Sequence, residues 1–326
     1  MTFIDHWGEH VSAINLHGLC VEGSRGSNRI TVFTITPDRL DEIAPLDAVI
    51  VAVKSQDTHA ALEQLLSYST EQTCFVSMQA GMNLPTFEGI VGRERTIGGD
   101  PNYGGVVVEP GRLEAGFPNY ILIGELDGRY TDRLRSLQRD LNQWTPTYMT
   151  ANVEGAIWSK FIYGSEIQCA ALTDRARGEA LRPRRHRLIA TAAVLEAMRV
   201  ADALHVELVS FDFFDPEVYR LFDGADLKSM SFWADRAWPR HEVFRKHGTH
   251  QFVNMGSIWR WDIVNQRRES EAGSYLKALR AAATRVGLDV PINAAIVQMI
   301  REIESGVRTM RDQNFDEVWE VVQKCQ

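Results

Sequence analysis

The sequence predicts an α/β domain built on a parallel sheet, followed by a mostly helical domain. Three observations predict it. Short apolar strand-like runs alternate with helix-like runs through residues 1–149. One of them, Asp47-Ala-Val-Ile-Val-Ala-Val53, is a continuous apolar run, as expected of a strand covered on both faces. From 150 to 326 the strands stop and long helical patterns take over. The length of 326 residues suits two domains of ~100–200 residues each.

In order, Thr2-Phe-Ile4 reads as a short strand and Glu9 to Leu16 as a helix. Ile30-Thr-Val-Phe-Thr-Ile35 is β-branched and aromatic, hence a strand. After the apolar run at 47–53, Asp57 to Leu66 reads as a helix and Thr73-Cys-Phe-Val-Ser-Met78 as a strand closed by Ala80-Gly81. Thr96-Ile-Gly-Gly99, Gly105 to Glu109 and Tyr120 to Gly124 add three short strands, punctuated by Pro101, Gly104, Pro110 and Gly111. Helices are then expected over Asn152–Leu172, Arg187–Leu204, Gly256–Val286, Ile292–Glu304 and Phe315–Lys324, with Gly287 and Pro291 separating two of them.

Composition narrows the function classes. At 44% hydrophobic and 24% charged residues, the chain can bury sizeable cores and is not a disordered polymer. A net charge of −8 argues against a nucleic-acid binder. The basic run Arg182-Pro-Arg-Arg-His-Arg187 reads as a solvated helix start. Four cysteines, Cys20, Cys74, Cys169 and Cys325, share no CxxC spacing, which fits a reducing cytoplasm and no structural zinc. No apolar run approaches the ~20 residues of a membrane span, and the N-terminus does not read as a signal peptide.

Seven short segments, in order, carry a resemblance. They are Asp47 to Lys54, Met78-Gln-Ala-Gly81-Met, Ile97-Gly-Gly with Glu109-Pro-Gly111, Ile123-Gly-Glu-Leu-Asp-Gly128, Ile157-Trp-Ser-Lys160-Phe, Arg268-Glu-Ser-Glu271 and Gly287-Leu-Asp-Val-Pro291. Together they resemble the ketopantoate reductase (2-dehydropantoate 2-reductase) family. The resemblance implies a Rossmann-type parallel-sheet domain at 1–149 and an all-helical domain of the 6-phosphogluconate dehydrogenase C-terminal type at 150–326. It also implies an oxidoreductase using NAD or NADP on a 2-oxo acid or related carbonyl. One feature departs from it. A Rossmann domain opens with a strand, G-x-G-x-x-G and a helix, with an acidic residue ~20 positions on. Asp5, after Thr2-Phe-Ile4, sits where that acid is expected. The chain is therefore expected to begin at the second strand, N-terminally truncated by roughly 20–25 residues on that spacing.

The resemblance assigns roles residue by residue. Asp5 would bind the adenosine ribose and repel a 2′-phosphate, a lean toward NAD in a family that commonly prefers NADP. Lys54 would lie against the cofactor's phosphate or nicotinamide ribose. Gly81 would let backbone approach the cofactor, and Ala80 stands where the family usually has Asn. Lys160, a solvated helix lysine if read bare, becomes the catalytic acid or base for the carbonyl oxygen, its pKa open to tuning by burial and nearby charge. Glu271 becomes the second catalytic residue, holding that ammonium and the substrate hydroxyl. Gly164 and Gln168 share a helix face with Lys160. In the resemblance they replace substrate-binding Asn residues, Gly164 opening space and Gln168 keeping an amide. Ser257 would contact a substrate carboxylate. Losing amides at Ala80 and Gly164 would leave polar groups of ketopantoate unpaired at ~1–3 kcal/mol each, so another substrate is expected.

The stretch Phe232 to Trp261 is rich in aromatics, including Trp233, Trp238, Phe244, Phe252 and Trp259, with His241, His247 and His250 among them. Most read as packing residues, with an altered lid for an aromatic substrate as the alternative. The histidines lack a convincing third ligand, so no metal is expected. The expected partners are a small-molecule substrate and a second copy in a homodimer, with neither nucleic acid nor membrane. Two rival readings stand beside the main one. An imine- or opine-type reductase would use the same hydride geometry on a C=N bond. A non-catalytic binding descendant would follow from loss of the glycine loop.

Overall fold

The structure, a computed structural model, describes residues 1–23, 26–43, 45–116, 120–211, 214–221, 258–265 and 267–325. These form two compact units. The first comprises Met1–Val53, Asp57–Gln79 and Asn83–Val153, and the second Lys54–Gln56, Ala80–Met82 and Glu154–Gln326.

The first unit runs β1 (Thr2–Ile4), α1 (Gly8–His17), β2 (Leu19–Gly23), β3 (Gly26–Ile30), β4 (Phe33–Ile35), β5 (Leu46–Val51), α2 (Thr58–Leu66), β6 (Ser69–Met78), α3 (Leu84–Ile90), β7 (Thr96–Asn102), β8 (Gly105–Glu109), β9 (Arg112–Ala115), β10 (Tyr120–Glu125), α4 (Asp132–Leu141) and β11 (Thr147–Met149). Its main sheet has the order β11-β10-β7-β6-β5. Strands β5, β6 and β7 run parallel with crossover helices between them, the Rossmann-type arrangement. β10 runs antiparallel to β7, because only the β8–β9 hairpin separates them and no helical crossover intervenes.

Strand alternation sorts the core. Phe75 and Val76 are adjacent in β6 and fully buried, yet they enter different clusters. Phe75 packs with Leu62, Phe87 and Val51, while Val76 packs with Ile97, Ile121 and Leu134. Gly98 and Gly124 face each other across β7 and β10. A Cβ on Gly98 would lie 2.9 Å from Val153, and one on Gly124 would lie 2.8 Å from Val153 and 2.5 Å from the Thr150 carbonyl.

Two readings of this half are corrected. The strand expected over 30–35 is split: Ile30 pairs with Leu19 in a β2–β3 hairpin, and β4 starts at Phe33. That hairpin joins β8–β9 in a second sheet, order β3-β2-β9-β8, that no periodicity announced. β1 and β4 form a separate parallel ribbon, so β5 is the terminal strand of the main sheet and the run expected to be covered on both faces is not: Val49 and Val51 are buried, while Ile50 between them is 45% exposed. The Asn15 side chain of α1 bonds both backbone groups of Thr34 in β4, at 2.7 and 3.0 Å, as a neighbouring strand would.

The second unit is helical: α5 (Val153–Cys169), α6 (Arg177–Ala180), α7 (Arg184–Ala203), α8 (Pro216–Arg220), α9 (Ile258–Val264), α10 (Ala272–Arg285), α11 (Pro291–Glu304) and α12 (Asn314–Lys324). Helix α7 buries Ala190, Ala193, Ala197 and Ala201, whose small side chains let neighbouring helices approach. The helix expected across 256–286 is broken into α9 and α10. Arg267 takes φ of 50° in the break, a conformation no α-helix contains. The break is latched, since the Ser270 N–H and hydroxyl both donate to Glu304, at 2.8 and 2.6 Å.

A buried polar network ties three helices of this unit. The Glu196 carboxylate of α7 accepts the backbone N–H groups of Ile292 and Asn293 at 2.8 Å each, capping the first turn of α11. Burial pushes the Glu196 carboxyl above its usual range despite these bonds. The Asn293 side chain donates to Glu196 and to the Ala193 carbonyl, and accepts from the Gln168 amide at 2.8 Å.

Candidate active site

The strand-end loops after β5 and β6 bring three predicted positions together with a fourth from the helices, all within the second unit. After the apolar run of β5, Lys54 turns its ammonium onto two carboxylates. It donates to Asp262 at 2.8 Å and to Glu271 at 3.2 Å. The other Glu271 oxygen accepts the Ser55 N–H at 3.0 Å. The Ser55 hydroxyl donates to the Ala80 carbonyl at 3.1 Å, linking the two loops. Next to Ala80, Gly81 takes φ of 93°, which its missing Cβ permits. Gln79, which ends the first unit's share of this loop, donates its amide to the Val53 carbonyl and the Thr58 hydroxyl, at 2.6 and 2.8 Å. Its Oε1 is buried and accepts no hydrogen bond among the described residues.

Asp262 was not singled out from the sequence. It is 1% exposed, and its second oxygen takes the Arg268 guanidinium at 2.8 and 3.1 Å. A signal existed. Asp262 is the one acid in the apolar, aromatic helix Ile258-Trp-Arg-Trp-Asp-Ile-Val264, and a lone buried acid requires a cationic partner. Two acids and two bases make this cluster electrically balanced. Glu271 was expected to partner Lys160, and the structure pairs it with Lys54 and Ser55.

Lys160 lies in the middle of α5, partly exposed, between the buried Ser159 and Phe161. The next turn of its face corrects one expectation. Gly164 does not open space, because a Cβ there would meet the Tyr275 ring at 3.3 Å. Tyr275 is held in place by stacking on Phe161, with ring centroids 4.2 Å apart, by Trp259 and by a 2.5 Å hydroxyl contact with Ser165. A turn further, Gln168 is fully buried. Its amide nitrogen serves Asn293, and its Oε1 has no partner among the described residues. The face that begins at Lys160 thus becomes core within two turns.

Asp5, in the first unit, follows β1. Its carboxylate is 40% exposed, and one oxygen accepts the Trp7 N–H at 2.8 Å in the turn leading into α1. Ser257, the histidines at 241, 247 and 250, and the aromatics from Phe232 to Phe252 lie outside the described residues. Among the described residues no three His, Cys, Asp or Glu side chains are grouped as a metal site requires. No described helix is long and apolar enough to cross a membrane.

No curated protein sequence matches the chain. Among solved structures, a 2-dehydropantoate 2-reductase from Geobacter metallireducens is 20% identical with a TM-score of 0.73, covering 92% of this chain and 91% of its own. A ketopantoate reductase from Ralstonia eutropha is 19% identical with a TM-score of 0.72, covering 91% and 88%. A D-mandelate dehydrogenase, in a ternary structure with NADH and anilino(oxo)acetate, is 15% identical with a TM-score of 0.73, covering 94% and 91%. At these identities the likeness is one of fold. Family models extend it to sequence: residues 1–128 match ketopantoate reductase PanE/ApbA and residues 152–304 match its C-terminal domain. With both halves matched in order over most of its length, the chain belongs to the ketopantoate reductase family.

Proposed function

We propose that this chain is a nicotinamide-dependent oxidoreductase interconverting a 2-oxo acid or related carbonyl with its alcohol, with Lys160 as proton donor and acceptor. The observation that carries the reading is the constellation of Lys54, Ser55, Ala80 and Glu271. Within the second unit, it gathers the two loop segments Lys54–Gln56 and Ala80–Met82 and the carboxylate of Glu271 around one ammonium. Ligands of open α/β sheets bind outside the carboxyl ends of the strands.

The residues at these loops fit the nicotinamide half of the cofactor. The Lys54 side chain is 23% exposed, and its ammonium suits a phosphate or ribose oxygen. Gly81 presents backbone without a Cβ, which allows close approach of a ribose. When bound, the nicotinamide supplies or takes up a hydride. Lys160 does the rest of the chemistry: its ammonium steadies the charge building on the carbonyl oxygen and delivers the proton there. Glu271 fixes Lys54 and the Ser55 N–H, and an alcohol hydroxyl of the substrate is its natural further partner.

Ala80 and Gly164 offer no side-chain amide, whereas ketopantoate carries polar groups that would need one. These features favour a 2-oxo acid with an apolar or aromatic substituent over ketopantoate. The NADH-bound D-mandelate dehydrogenase of similar fold, crystallised with an aromatic oxo acid derivative, supports trying that class first. Asp5 favours NAD, because its carboxylate would repel a 2′-phosphate. A cytoplasmic homodimer is the working form we infer, in line with a dimeric ketopantoate reductase of similar fold from Staphylococcus aureus.

The test pairs wild type and Lys160→Ala against phenylglyoxylate and ketopantoate, with NADH and with NADPH. The expected result is turnover by wild type. In the variant, kcat falls by about 10²–10⁴ with the calorimetric Kd for cofactor unchanged within about twofold. Near-normal kcat in the variant removes the mechanism. Wild type that binds neither cofactor removes the whole reading.

A further inference from the structure

We infer that Asp262 is a positioning residue, which orients the Lys54 ammonium for a bound ligand. The inference rests on the proposed nicotinamide-dependent reaction and adds a residue to its site. Lys54 Nζ carries three N–H donors. Asp262 takes one at 2.8 Å and Glu271 another at 3.2 Å, and among the described residues no third acceptor meets the ammonium. Two fixed acceptors set the direction of the remaining N–H. A lysine on a four-carbon stem otherwise samples many rotamers, and a group held in one geometry before the ligand arrives binds it with less ordering still to do.

Asp262 is built for this. It is 1% exposed, so its own geometry is set by packing. Its Oδ1 accepts from the Arg268 guanidinium at 2.8 and 3.1 Å while its Oδ2 accepts from Lys54, so the carboxylate cannot turn without breaking these three bonds. Arg268 also offsets the second carboxylate of the cluster. Lys54 is therefore held by two anions without leaving the site net negative, which would disfavour a phosphate-bearing ligand. Stability alone is a weak reason for such a cluster, because buried ion pairs commonly match or fall short of apolar packing.

The test is a double-mutant cycle on the full chain between Asp262→Asn and Lys54→Met, read as kcat/KM and as calorimetric Kd for NADH. Thermal denaturation establishes that each variant is folded, and Asp262→Ser replaces the amide if it does not fold. Alone, Asp262→Asn should raise the Kd about tenfold. In the Lys54→Met background it should add less than twofold, because the ammonium it orients is gone. A second readout needs no activity: the NMR order parameter of the Lys54 Cε–Nζ group should fall in Asp262→Asn. The inference is overturned if the loss repeats in full without Lys54, or if Lys54 stays as ordered in the variant as in wild type. Should wild type bind neither NADH nor NADPH, the oxidoreductase reading fails on that result, and the NMR measurement still judges Asp262.

Discussion

Replacing Asn293 by Ala tests the polar network inside the helical unit. Asn293 is fully buried and makes three side-chain hydrogen bonds: to the Ala193 carbonyl at 2.9 Å, to the Glu196 carboxylate at 2.8 Å, and from the Gln168 amide at 2.8 Å. The Ala193 carbonyl keeps its place in α7, and Glu196 keeps the two backbone N–H groups of α11. Gln168 does worse. Its Oε1 already has no partner among the described residues, so the substitution leaves its whole amide unpaired there. Two neutral bonds at about 1 kcal/mol each and one to a carboxylate at about 2 give a loss of about 3–5 kcal/mol once the stranded amide is included. Adding Gln168→Met removes that amide at similar volume and should restore about 1–3 kcal/mol. The assay is urea unfolding followed by circular dichroism at 222 nm, with the m-value checked for constancy. A loss under about 1 kcal/mol for Asn293→Ala, or further destabilisation by Gln168→Met in that background, would refute the account.

Two further predictions concern packing and pH. Gly124→Ala places a Cβ 2.5 Å from the Thr150 carbonyl, a backbone atom that cannot swing aside. It should cost about 1–3 kcal/mol, and an unchanged melting temperature would contradict the close approach. His186 is stacked on Phe315, its Nδ1 is 2.7 Å from the Ala180 carbonyl, and burial lowers its pKa below the usual 6.5. The neutral ring is thus the native form. Its contribution is complete above pH 6.5 and is lost as pH falls through the lowered native value. His186→Phe keeps the stack and forfeits the bond. It should lower stability by about 1 kcal/mol at pH 7.5 and flatten the fall in Tm between about pH 7 and 5. Parallel Tm–pH curves for the two proteins would show that another group titrates.

The division into a sheet-bearing half and a helical half, and the family, are legible in the chain's local pattern. The apolar run at 47–53 announced a strand but not its surroundings: Val49 and Val51 are buried, while Ile50, on the other face of this terminal strand, is 45% exposed. The helical periodicities after residue 150 announced the second unit. The order of seven short segments then pointed to the family that both family models match. These features are legible because period and run length reflect which faces meet water, a local matter of backbone geometry and solvent. The same source explains the misreadings. The periodicity across 256–286 is helical on both sides of the break, and nothing local marks Arg267 as the residue that turns with φ of 50°. The tertiary structure alone decided which groups meet. Lys54 bonds Asp262 and Glu271, which lie 208 and 217 positions away along the chain. Tyr275 occupies the room that Gly164 offers, and Gln168 turns to Asn293 in the core. A charged or polar side chain carries no periodic signature of its partner. Its partner is whichever complementary group the packing of distant elements brings within about 3 Å.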